Sequence, residues 1–107
     1  LRWIITFPIM CSRQQCFSTL NDAAPYIRQE FEVSSMCVFG SMARGDNHEG
    51  SDVDICVEMP PKALKMIALR QYLQELLGVS VDIIRRHAHL NQFLAQEIER
   101  DGIYIFS

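Results

Sequence analysis

Gly40-Ser41-Met42-Ala43-Arg44-Gly45-Asp46-Asn47-His48-Glu49-Gly50-Ser51-Asp52-Val53-Asp54 organises the reading of the whole chain. Before it, Met36-Cys37-Val38-Phe39 is a short apolar run ended by Gly40, which predicts a buried strand. After it, Val53-Asp54-Ile55-Cys56-Val57-Glu58 is rich in β-branched residues and predicts a second strand, stopped by Pro60-Pro61. The segment from Ser41 to Ser51 then reads as a polar loop joining the two. Gly40 has no Cβ and lets the backbone approach a ligand closely. Ser41 offers a hydroxyl and an amide where the chain leaves a strand, a setting that suits phosphate. Arg44 brings a guanidinium able to bond phosphate or brace a carboxylate. Gly45 again permits unusual backbone angles.

The end of the stretch carries Asp52 and Asp54. Strand side chains alternate, so these carboxylates share a face, about 6.5–7 Å apart along the backbone. With ordinary pKa values near 4, both are charged at neutral pH and repel each other. Such a pair implies either solvent exposure or a bound cation, and all-oxygen ligands suit Mg²⁺ or Mn²⁺. Asp82, in Val81-Asp82-Ile83-Ile84, is a third carboxylate. If its strand lies beside the second, Asp82 faces the same site as metal ligand or general base. A phosphate-binding P-loop is excluded, because Asp46-Asn47 stands where Lys-Ser/Thr is needed. An EF-hand is excluded by His48, at a position that requires an oxygen ligand.

Outward from this centre the elements alternate. A first helix is expected over about Thr19 to Glu32, with Leu20, Ala23, Ala24, Ile27 and Phe31 at near-helical spacing. Pro25 fits only a first turn, which points to Asn21 or Asp22 as the cap. A second helix follows Pro61, its broad apolar stripe running from Ala63 to Leu77 and Gly78 standing at the C-cap. Val79 to Ile84 predicts a third strand. Leu90, Phe93, Leu94 and Ile98 mark a last helix ended near Gly102, and Ile103-Tyr104-Ile105-Phe106 a short final strand. The fold class expected is α+β (α/β-like), a small mixed sheet of three to four strands with helices packed on it.

The whole is sized for one domain of 107 residues. Ten basic against thirteen acidic side chains give a net charge of −3, which excludes a strongly basic nucleic-acid binder. No apolar run approaches the roughly 20 residues that span a bilayer. Cys11, Cys16, Cys37 and Cys56 form no C-x-x-C pair. Cys37 and Cys56 read as small buried hydrophobes, whereas Cys11 and Cys16 flank a polar stretch and are open to exposure. Nothing secretory accompanies the thiols, so a cytoplasmic location is expected. Residues 1–9 differ in texture and are expected to be an extension upstream of a natural start near Met10, leaving 10–107 as the domain. His48 reads as a solvated loop residue. His87 and His89 lack a third ligand and make a weak metal pair. Arg85 and Arg86 follow Asp82 and are expected at the rim of its site, on a nucleotide or an acidic partner. Lys62 and Lys65 are assigned to a polar helix face, and Tyr72 to core or interface.

Gly40-Ser41, a ten-residue gap and Asp52-x-Asp54 resemble the signature of the DNA polymerase β-like nucleotidyltransferase superfamily. The fuller set, Gly40, Ser41, Ala43, Arg44, Gly45, Ser51, Asp52 and Asp54, resembles its smallest branch. These are the minimal nucleotidyltransferase domains, the MntA-like antitoxins of HEPN/MNT toxin–antitoxin pairs. The similarity covers about Ser18 to Phe106, includes Asp82 as the third acid, and shows no departure at the motif positions. The resemblance implies a mixed sheet with helices on one side. It implies binding of ATP or another nucleoside triphosphate with Mg²⁺, and transfer of the nucleoside monophosphate with release of pyrophosphate. By that similarity Gly40 and Ser41 hold the β- and γ-phosphates, with Arg44 and Ser51 in the nucleotide-binding set. Asp52, Asp54 and Asp82 are the metal-binding and catalytic acids. The acceptor implied is a tyrosine of a HEPN ribonuclease toxin, so a hetero-oligomer is an expected state. Two other readings stand beside this one: an antitoxin that acts by binding alone, and a small-molecule adenylyltransferase of the antibiotic-modifying kind. The latter usually carries a further helical domain, for which this chain is expected to have no room.

Overall fold

β-branched and apolar runs form the strands, and the segments between them supply helices on both faces of one sheet. The structure, a computed structural model, describes residues 12–46 and 52–107. The expected extension and start near Met10, together with Cys11, His48 and Ser51, lie outside the described residues. The strands are β1 (Ser35–Phe39), β2 (Val53–Glu58), β3 (Val81–Arg85) and β4 (Ile103–Phe106). The helices are α1 (Arg13–Glu30), α2 (Gly40–Arg44), α3 (Ala63–Leu77) and α4 (Gln92–Asp101). Among the described residues no helix is long and apolar enough to cross a membrane.

The sheet order is β3-β2-β1-β4. β1 is antiparallel to both β2 and β4, whereas β2 and β3 run parallel, joined by the α3 crossover. This four-stranded sheet falls within the mixed sheet of three to four strands expected. Residue alternation divides the core between its two faces. On one face Met36, Val38, Val53, Ile55, Val57 and Val81 pack against α1 through Leu20 and Ile27, and against α3 through Leu69 and Leu73. Fully burying each such aliphatic side chain contributes about 1.5–3 kcal/mol. On the other face Cys37, Phe39 and Cys56 pack against Ile98 of α4, with Leu90 and Leu94 beside them. The helices therefore do not all lie on one side. α4 covers the second face because its apolar positions meet the odd-numbered residues of β1.

Cys37 and Cys56 stand opposite each other on β1 and β2, both buried. Burial, and then the neighbouring Cys56 thiol, push Cys37 up to about 11, so it stays an unreactive thiol at neutral pH. Cys16 is also buried, at 0% exposure, because it lies on the inner face of α1. The expected openness of this cysteine is corrected by an earlier start of the helix. Ser12, not Asn21 or Asp22, is the N-cap: its hydroxyl accepts from the Gln15 amide, and the Gln15 side chain accepts from the Ser12 amide. Pro25 sits inside α1, not in its first turn. Pro25 and the preceding-turn residue Asn21 are both exposed, so the carbonyl deprived of a helical partner opens to water. Phe31 and Tyr72 pack ring on ring at 5.5 Å, linking the end of α1 to α3. Lys62 and Lys65 tie the same ends together through Glu32.

The capping assignment has a direct test. Ser12→Ala is expected to lower stability by about 1 kcal/mol in urea unfolding. Asn21→Ala and Asp22→Ala, which alter exposed interior positions of the same helix, should change it by less than about 0.5 kcal/mol.

Candidate functional site

β1 ends at Phe39, and Gly40 turns the chain at φ 74° into the short helix α2. Ser41 to Arg44 are thus helical, where the sequence predicted a loop. A Cβ at position 40 would collide with the Asp54 carboxylate, so the close approach that Gly40 permits is to that side chain. Gly45, at φ 84°, ends α2 in the left-handed conformation that glycine tolerates.

Asp54 is fixed by two pairings. Across the antiparallel edge it opposes Phe39, and across the parallel edge it is in register with Asp82. Register neighbours in a sheet stand on one face about 4.8 Å apart. Asp54 and Asp82 alternate in phase with Cys56 and Ile84, so both face the α4 side. Asp52, exposed, precedes β2 by one residue and lies two positions before Asp54. Glu97 approaches from α4. Burial, then the charges of Asp82, Asp52 and Glu97, push the Asp54 carboxyl up to about 6, while Arg44 opposes them. The three sequence-predicted acids are therefore brought to one corner of the sheet.

Among the described residues, no three His, Cys, Asp or Glu side chains are grouped closely enough to hold a metal ion as they stand. The donors that converge are carboxylate oxygens held close enough to repel. That set fits a hard divalent cation that keeps part of its water shell, as Mg²⁺ does. It does not resemble a nitrogen- or sulfur-based site.

Arg44, at the end of α2, brackets the site. Its Nε donates to Asp46 at 3.1 Å and its Nη1 to Asp101 at 3.3 Å, with Glu97 at 3.7 Å. Of the two roles open to it in the sequence, this geometry displays the carboxylate brace. Asp101 is held below the usual carboxylate range by its bonds from Arg100 and Arg44. Glu97 and Asp101, one helical turn apart on α4, were not singled out in the sequence. No local pattern marks them, because their partner Arg44 is over fifty positions away.

Arg85 and Arg86 are not at the rim of this site. β3 runs parallel to β2, so the chain moves away from Asp82, and Arg86 lies about 13 Å along it. There Arg85 donates to the Met59 carbonyl at 2.8 Å, and Arg86 meets the Tyr104 hydroxyl at 3.4 Å and Glu58 at 3.8 Å. His87 and His89 are exposed and close a local turn, the His89 amide donating to His87 Nδ1.

Residues 20–105 match the family model described as nucleotidyltransferase domain. The chain belongs to the nucleotidyltransferase domain family. It is 40% identical over 81 residues to a candidate protein adenylyltransferase of Methanocaldococcus jannaschii, covering 74% of this chain and 83% of that protein. It is 36% identical over 98 residues to protein adenylyltransferase MntA of Thermococcus cleftensis, covering 90% of this chain and 98% of that protein. A solved structure of a candidate minimal nucleotidyltransferase, 29% identical, superposes with a TM-score of 0.71 over 86% of this chain and 94% of its own. Two toxin–antitoxin structures share the fold. One, with AMP-PNP, has a TM-score of 0.67 and 21% identity, over 81% and 73% of the two chains. The other, a tri-AMPylated Shewanella oneidensis HEPN toxin with MNT antitoxin, has a TM-score of 0.62 and 17% identity, over 85% and 72%. The protein is a nucleotidyltransferase, and the α+β architecture is that of its family.

The raised Asp54 pKa makes this nucleotidyltransferase less stable as that group ionises. Its folded value exceeds the ordinary 3.8, so the folded state holds the proton more firmly and stability falls as pH rises through about 6. The displacement from 3.8 to about 6 caps the effect at about 3 kcal/mol. Partial exposure and solvent screening bring the expected effect to about 1–2 kcal/mol. Asp54→Asn in chelator is therefore expected to be the more stable protein by that amount near pH 7.5, with the gain vanishing near pH 4. Urea titrations at the two pH values check it, and an equal difference at both contradicts it.

Proposed function

We propose that this nucleotidyltransferase moves the adenosine monophosphate of ATP onto a tyrosine hydroxyl of a HEPN-type toxin and so acts as its antitoxin. The observation that carries the reading is the register pairing of Asp54 with Asp82 beside the Gly40-Ser41 turn. The reading is supported by relatives named protein adenylyltransferase and by a shared fold with toxin–antitoxin complexes.

In this proposal Gly40 and Ser41 hold the β- and γ-phosphates, with Ser51 in the nucleotide-binding set. Asp52, Asp54 and Asp82 hold Mg²⁺, with Mn²⁺ as a substitute. When bound, the cation supplies positive charge that offsets the carboxylates and the charge developing on the phosphates. The tyrosine oxygen forms a bond to the α-phosphorus, the bond from that phosphorus to the bridging oxygen breaks, and pyrophosphate leaves. Asp82 accepts the phenolic proton. Arg44 joins the nucleotide by leaving its pairs with Asp46 and Asp101. Those pairs are worth little because Arg44 is exposed. The nucleotidyltransferase works in the cytoplasm in this account, which suits its unbridged Cys37 and Cys56. It forms a hetero-oligomer with its toxin, and neither a membrane nor a nucleic acid is a partner.

The test uses labelled ATP, Mg²⁺ and a HEPN-type protein from the same genome. Label is expected on the partner, falling about 100-fold or more in Asp52→Ala/Asp54→Ala, with loss of neutralisation. Neutralisation retained by the double variant without label would replace transfer by binding alone. Label on a small molecule and none on protein would favour the antibiotic-modifying class.

A further inference from the structure

The helix α2 is five residues long and carries the Gly40-Ser41 turn at one end. A single turn of helix has almost no stability of its own, so its position depends on what grips it. Among the described residues, the Ser41 oxygen accepts from the Gly45 and Asp46 amides at the end of this short segment. The guanidinium of Arg13, the first residue of α1, takes up the next two carbonyls. Its Nε donates to the Met42 carbonyl at 3.0 Å and its Nη2 to the Ala43 carbonyl at 3.1 Å. The Phe17 ring, one turn along α1, lies under the same guanidinium at 5.2 Å and holds its plane. The second grip on α2 runs from Arg44 to Glu97 and Asp101 of α4, and the exposure of the Arg44 guanidinium lets salt screen it. The Arg13 fork instead makes partly buried, charge-assisted bonds to main chain.

We infer that Arg13 is a positioning residue for nucleotide binding: its fork on the Met42 and Ala43 carbonyls sets where the Gly40-Ser41 turn stands relative to Asp54. The inference rests on the proposed role of that turn as a phosphate holder. Arg13 touches no reacting atom. It acts through a helix about 7.5 Å long, so fixing one end fixes the other. A lysine cannot replace it fully, because a single ammonium does not reproduce a planar two-bond fork. Nothing in the local sequence of Arg13 marks this role. Its bonds reach 29 and 30 positions along the chain.

The experiment measures KM for ATP and kcat for AMP transfer in the full chain, together with hydrogen exchange at the Gly45 and Asp46 amides. Arg13→Met is expected to raise KM about tenfold with kcat changed less than about threefold, and to speed exchange at both amides. Arg13→Lys should recover part of the loss. Tyr72→Leu is the control, since it weakens the far end of α1, where Tyr72 packs on Phe31, without touching the fork, and it should leave KM unchanged. A folded Arg13→Met with wild-type KM overturns the inference, as does Tyr72→Leu raising KM equally. Failure of the wild-type chain itself to bind ATP overturns the underlying reading of the turn. That result is separable, because it is read without any variant.

Discussion

The parallel register of β2 and β3 is the constraint on which the site depends. It places Asp54 beside Asp82 and makes two carboxylates share one face of a sheet at strand spacing. A one-residue slip would turn Asp82 to the opposite, apolar face among Leu69 and Leu73, where an unpaired charge is prohibitive. The apolar residues that alternate with the acids hold that register. Val53, Ile55 and Val81 are buried on the helical face, and each adds to the cost of slipping. Burial that stabilises the fold thus forces together charges that destabilise it, an arrangement typical of sites built to hold a cation or a transferring phosphate.

Around this pair the architecture is a division of labour between faces. α1 and α3 close one face with aliphatic side chains. α4 only half covers the other and leaves the corner at Asp54 and Asp82 accessible. α2 bridges the two, gripped from α1 by Arg13 and linked to α4 by Arg44. Gly40 brings the start of α2 so close to Asp54 that a Cβ there would have to displace its carboxylate.

The strands, the α3 helix with its Gly78 cap, the last helix and the convergence of Asp52, Asp54 and Asp82 were legible in the sequence, because each is written in a local pattern. Val53 to Glu58 alternates with period two around Asp54, and Leu69, Leu73 and Leu77 repeat with helical period. What escaped depends on long-range pairing. The start of α1 was misplaced because Pro25 suggested a first turn, whereas the Ser12–Gln15 capping box sets the boundary and solvent accommodates the proline. Arg85 and Arg86 looked close to the site because they follow Asp82 in sequence; the parallel direction of β3 carries them to the far end of the sheet. Arg13, Glu97 and Asp101 were invisible because their partners on α2 are separated from them by much of the chain.

The central claim is that Asp54 and Asp82 share one electrostatic site, and carbon-13 NMR titration of the Asp54 carboxyl in chelator tests it most directly. The account expects a midpoint of about 6, falling toward the ordinary value in Asp82→Asn as one of the opposing charges is removed. A midpoint near 4 that is unchanged by Asp82→Asn would contradict it.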